Sequence, residues 1–101
     1  MDEPAVWTEA RDQEVIVKQE DLNGYVKEIY TAAGVSDEHA TTMADLQVET
    51  DVRGVHSHGT RQVPGYVKRC LTGHTNPRPE IVIQKEGPGF VVVDNNGGFG
   101  H

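Results

Sequence analysis

The sequence predicts an α+β fold, in which about three helices lead into short strands of a larger mixed sheet that is mostly missing from the chain. Three observations predict it. Leu22, Val26, Ile29, Tyr30 and Ala33 follow the i, i+4, i+7, i+8, i+11 spacing of one helical face. Ser36 precedes Asp37 and Glu38, which together read as the cap and acidic first turn of a second helix. The β-branched runs IVI at 81–83 and FVVV at 90–93 flank KEGPG, which has hairpin turn chemistry.

The elements follow in order. Residues 1–13 are polar and aperiodic and read as a flexible leader; residues 14–101 read as part of one domain. EVIV at 14–17 is either a strand or an extended entry to the first helix. Asp21 can cap that helix, and Gly34 suits the left-handed residue after its end. The second helix runs from Ser36 to about Asp51, with Ala40, Met43, Ala44 and Val48 as its apolar stripe, and breaks at Gly54. A third starts near Thr60 and ends before Gly73, with Pro64 in its first turn. HTNPRPE is a loop, and the two strands follow. A lone two-stranded hairpin is marginal in water. DNNGGFGH therefore reads as the approach to a further element, and the chain as a fragment or a piece completed by a partner.

Composition narrows the function. A chain of 101 residues with 36% hydrophobic content can bury only a thin core. Nine Lys and Arg stand against 16 Asp and Glu, a net charge of −7 that argues against nucleic acid as a partner. The charge is uneven: residues 1–51 hold 13 acids and 3 bases, residues 52–101 hold 3 acids and 6 bases. An anionic ligand is better received in the second half. The single Cys70 fits a reducing compartment, the acidic N-terminus shows no signal peptide, and no run is long enough to cross a membrane. These features predict a cytoplasmic protein without membrane partners.

The chemistry concentrates in GVHSHGTR, residues 54–61. As a metal site, His56 and His58 would share one face of a strand, but three or four ligands are needed and no paired spacing supplies the rest. As an acid–base site, a histidine can carry a proton near neutrality and the Arg61 fork suits a carboxylate. Ser57 adds a hydroxyl that can orient a substrate oxygen. Such a set suits a 2-hydroxy or 2-oxo acid. As an ordinary polar loop, Ser57 would cap a helix and Arg61 would pair with Asp51 or another surface acid. Ser–His nucleophilic catalysis is disfavoured, since adjacent residues rarely face one another and no G-x-S-x-G elbow is present. The terminal GGFG is not a dinucleotide fingerprint.

The run ETDVRGVHSHGTRQVPGYVKRCLTGHTNPRPEI resembles the N-terminal region of the malate/L-lactate dehydrogenase family, the non-Rossmann NAD(P)-dependent 2-hydroxy acid oxidoreductases that include ureidoglycolate and diketogulonate enzymes. The matching residues are Asp51, Arg53, Gly54, Ser57, His58, Gly59, Arg61 and Tyr66, and GPGFVVVDNNGGFGH resembles the later strand-turn segment. The resemblance implies His58 as proton donor or acceptor, Ser57 and Arg61 in the substrate pocket, and no such role for His56. It implies NAD or NADP as cofactor, a small 2-oxo or 2-hydroxy acid as substrate, and a homodimer. It places the cofactor residues, and an acidic partner for His58, beyond His101. By the same resemblance the chain is an N-terminal portion, truncated before the cofactor region. The alternative is a non-catalytic interaction or dimerisation piece.

Overall fold

The computed structural model describes residues 16–101 of the protein. The predicted leader and the start of EVIV lie outside the described residues; Ile16 and Val17 belong to no strand. The element order is helix α1 (Gln19–Ala32), helix α2 (Asp37–Val52), two short 3-10 turns (His56–His58 and Thr60–Gln62), helix α3 (Val63–Leu71), then strands β1 (Val82–Gly87) and β2 (Phe90–Asp94). This is the α+β order that the sequence predicts.

Two boundaries differ. Helix α1 starts before Asp21, with an extended Lys18 at the cap position and no side-chain cap bond. Glu20 and Asp21 instead occupy the first turn, where their charge meets the exposed N–H groups of the helix end. The third helix is compound: a 3-10 turn at Thr60–Gln62 passes into α3, with Pro64 in the first turn of the α-helical part. A missing N–H costs nothing at that position.

All three helices end in the same way. Gly34, Gly54 and Gly73 take positive φ values of 101°, 84° and 80°. Each N–H of the next residue bonds back to the third-last helical carbonyl: Val35 to Tyr30, Val55 to Thr50, His74 to Arg69. This paired closure satisfies carbonyls that would otherwise be orphaned, and glycine adopts the left-handed turn without a Cβ clash. At the other end of α2, Ser36 Oγ accepts from the His39 N–H at 3.3 Å, as the sequence predicts.

The core lies between α1 and α2 and is closed by α3. It contains Val26, Tyr30, Val35, Ala40, Met43, Ala44, Val48 and Val63, with Leu22, Ile29, Tyr66, Val67, Cys70 and Phe99 partly buried against it. Inside it the Tyr30 hydroxyl donates to Gln47 Oε1 at 2.5 Å. At the rim Asn23 Nδ2 donates to Asp45 Oδ1 at 2.8 Å. The segment after β2 folds back, since the Asn76 N–H donates to Gly97 O and the Phe99 ring stacks on Tyr66 with centroids 4.9 Å apart.

β1 and β2 pair antiparallel around Pro88 and Gly89, so Lys85, Glu86 and Gly87 belong to the strand and the turn is tighter than KEGPG suggests. The register slips by one residue at Gln84, a bulge between the Ile83–Val93 and Lys85–Val92 pairs. Val82, Ile83 and Phe90 to Val93 remain exposed. The hairpin stands away from the helices, and the Cα radius of gyration is 17.3 Å. A compact chain of this length has about 13 Å. Among the described residues no helix is long and apolar enough to cross a membrane.

Candidate active site

The glycine-closed end of α2 determines where GVHSHGTR begins. Gly54 turns the chain out of the helix, and Val55 to Gly59 wind into a 3-10 turn held by His58 N–H to Val55 O at 3.1 Å and Gly59 N–H to His56 O at 3.3 Å. A second turn follows at once, with Gln62 N–H on Gly59 O at 3.1 Å. The segment is therefore neither strand nor simple loop. It is a pair of tight turns between two packed helices.

Ser57 Oγ lies 2.8 Å from His58 Nδ1. This corrects the expectation that adjacent residues do not face one another. The short serine side chain reaches the ring nitrogen nearest the backbone, which 3-10 winding permits. With Nδ1 engaged, Nε2 is the nitrogen left for a ligand, because the two ring nitrogens have distinct roles set by their partners. Ser57 and His58 are both exposed. Ser57 caps no helix: neither 3-10 turn has a side-chain cap bond.

Arg61 sits in the second turn and is exposed. Among the described residues its guanidinium has no carboxylate partner, so the pairing with Asp51 or another surface acid that an ordinary polar loop would show does not form. Asp51 is engaged elsewhere. Its carboxylate, 15% exposed, accepts from the Thr60 N–H at 3.2 Å and from the Thr60 hydroxyl, and meets His56 Nδ1 at 3.3 Å. His56 is solvent-facing but holds this contact to Asp51. Arg53 pairs with Glu49 at 3.0 Å on the exposed side of α2.

The structure thus groups Ser57 and His58 directly and puts Arg61 on the adjoining turn. Sequence reasoning missed the part played by Asp51 and Thr60. They are nine residues apart, and the signal the sequence held was Asp51 among the residues of the family resemblance. Among the described residues no three His, Cys, Asp or Glu side chains gather as a metal site would require.

The described residues hold no Rossmann-type site for a nicotinamide dinucleotide. The strands form an antiparallel hairpin, and no glycine loop joins a parallel strand to a helix N-terminus that could receive a pyrophosphate. What this region can supply is a proton carrier and a carboxylate clamp.

Comparison with known proteins places these features in context. A family profile described as malate/L-lactate dehydrogenase matches residues 17–101. The chain is 35% identical over 86 residues to a malate dehydrogenase of Pyrococcus abyssi, covering 85% of this chain and 24% of that protein. It is 36% identical over 84 residues to an NAD(+) ureidoglycolate dehydrogenase of Escherichia coli, covering 81% and 24%. The solved sulfolactate dehydrogenase of Methanocaldococcus jannaschii superposes with a TM-score of 0.77 at 34% identity, covering 83% of this chain and 24% of that one. The chain thus spans about a quarter of the length of the relatives it matches.

Proposed function

The chain belongs to the malate/L-lactate dehydrogenase family, and from that premise we propose that it is the N-terminal, substrate-side part of an NAD(P)-dependent oxidoreductase acting on a 2-hydroxy acid. Malate, sulfolactate and ureidoglycolate, the substrates in the relatives' names, all carry a hydroxyl on the carbon next to a carboxylate. The observation that carries the reading is the Ser57–His58 pair on an exposed turn, with Arg61, which has no carboxylate partner among the described residues, on the turn beside it.

In the oxidative direction His58 Nε2 takes the proton of the substrate hydroxyl. In the reductive direction it returns that proton to the carbonyl oxygen. Ser57 holds the ring through Nδ1. Arg61 receives the carboxylate in a two-point contact and so orients the hydroxyl-bearing carbon toward His58. NAD or NADP, held outside the described residues, supplies the hydride chemistry. The assignments to this chain concern only the proton and the carboxylate. A cytoplasmic homodimer is part of the same proposal.

The test is carboxylate dependence. The protein is assayed for nicotinamide reduction with malate, lactate and matched secondary alcohols lacking the carboxylate. Turnover of the acids alone is expected. Equal turnover of the plain alcohols would overturn the reading. A second reading, a non-catalytic interaction piece, draws on the exposed apolar hairpin. Absence of turnover with every acid, together with absence of NADH binding, would favour it.

A further inference from the structure

We propose that Asp51 is the positioning residue of the acid–base turn: its carboxylate brackets Ser57 and His58 from both sides and holds the turn against α2. The proposal rests on the assignment of His58 given above. Asp51 lies in the last turn of α2, behind the buried Gln47 and Val48 and just before the Gly54 closure. Its backbone is therefore fixed by the core. Upstream of the Ser57–His58 pair, Oδ1 meets His56 Nδ1 at 3.3 Å. Downstream, Oδ2 accepts from the Thr60 N–H at 3.2 Å and from the Thr60 hydroxyl. Among the described residues no other side chain outside the turn hydrogen-bonds to residues 56–60. Ser57 and His58 are exposed.

Gly59 gives an independent sign of the same clamp. It is buried, and a Cβ built there would fall on the Asp51 carboxylate and lie 3.1 Å from the Gln47 carbonyl. Its φ of −98° lies outside the left-handed region, so a positive φ is not what demands glycine here. The space does. The carboxylate passes directly over the backbone that joins His58 to Thr60, and only a hydrogen at position 59 leaves room for it. Hydrogen bonds to a carboxylate are the stronger kind, which suits a tie that must hold an exposed histidine in one direction. Asp51 makes no hydrogen bond to His58, so it acts through the His56 ring and through the amide and hydroxyl of Thr60.

The test compares Asp51→Ala, Asp51→Asn and Gly59→Ala in the intact protein. Three readouts are used: kcat and KM with a 2-hydroxy acid, amide hydrogen exchange at Thr60, and the thermal midpoint. Asp51→Ala is expected to speed Thr60 exchange at least ~10-fold while the amides of Tyr30 and Val48 stay protected. It is expected to lower kcat by ~100-fold with little change in KM, the scale on which misplacement of a reacting group acts. Gly59→Ala should reproduce this by displacing the carboxylate. Asp51→Asn keeps the size and one acceptor oxygen, and should recover part of the Thr60 protection and of kcat.

Unchanged Thr60 exchange in Asp51→Ala and Asp51→Asn would overturn the proposal. So would loss of protection across the whole core in both variants, because that describes a general structural role. His58→Ala separates the two assignments: full turnover there removes the acid–base reading, and with it the catalytic meaning of the clamp, whatever Thr60 shows. Low turnover in His58→Ala with full turnover in Asp51→Ala removes the clamp alone.

Discussion

A hydrogen bond between sequence neighbours makes sense of the histidine cluster. Ser57 engages His58 Nδ1 at 2.8 Å and leaves Nε2 as the free nitrogen of that ring. Ser57→Ala should leave His58 free to rotate and lower turnover about 10-fold, the low end of the cost of disturbing a general acid or base. Steady-state kinetics would check this; full turnover would show that the serine bond is incidental. Arg61→Lys should raise KM for the acid about 10-fold with kcat little changed, because a point charge replaces a planar two-point fork. A fall in kcat at constant KM would instead put Arg61 at the reacting carbon. Ser57, His58 and Arg61 were legible in the sequence as residue types within eight positions. The choice of His58 over His56 rests on family resemblance, not on spacing. The Asp51 contacts were not legible, because they depend on how a helix end and two tight turns fold together.

At the scale of elements, the helix ends were the most legible feature. Gly34, Gly54 and Gly73 each follow an apolar stripe, and each takes the left-handed turn. No atom lies within 4 Å of a Cβ built at Gly54, so Gly54→Ala meets only backbone strain. It should cost ~1–2 kcal/mol, the penalty for an L-residue in that region, measurable by chemical denaturation. The start of α1 was less legible because Lys18, its capping position, makes no side-chain bond and leaves no mark in the sequence.

The α1–α2 contact has a pH signature. Burial pushes the Tyr30 hydroxyl from an ordinary 10.0 up to about 12, with the Gln47 bond opposing the shift. A raised pKa favours the folded state fully below pH 10 and progressively less as pH rises from 10 through 12. Alkaline unfolding should steepen in that window. Tyr30→Phe should flatten the limb and lower stability at neutral pH, because Gln47 loses its partner. An alkaline limb identical to wild type in the phenylalanine variant would contradict the account.

The whole molecule is a three-helix core carrying an apolar hairpin that nothing among the described residues covers. The lean composition foreshadowed this: 36% hydrophobic content is split between the core and two strands. The strands were legible as β-branched runs. The Gln84 bulge was not, since bulges answer to pairing rather than to local sequence. The chain covers about a quarter of its relatives' length. The central claim is that this protein moves a substrate proton through His58. Turnover of a 2-hydroxy acid by wild type and by His58→Ala tests it most directly. A fall of at least ~100-fold, with folding intact, is the result expected for a lost general acid or base. Turnover within a factor of a few of wild type would contradict the claim.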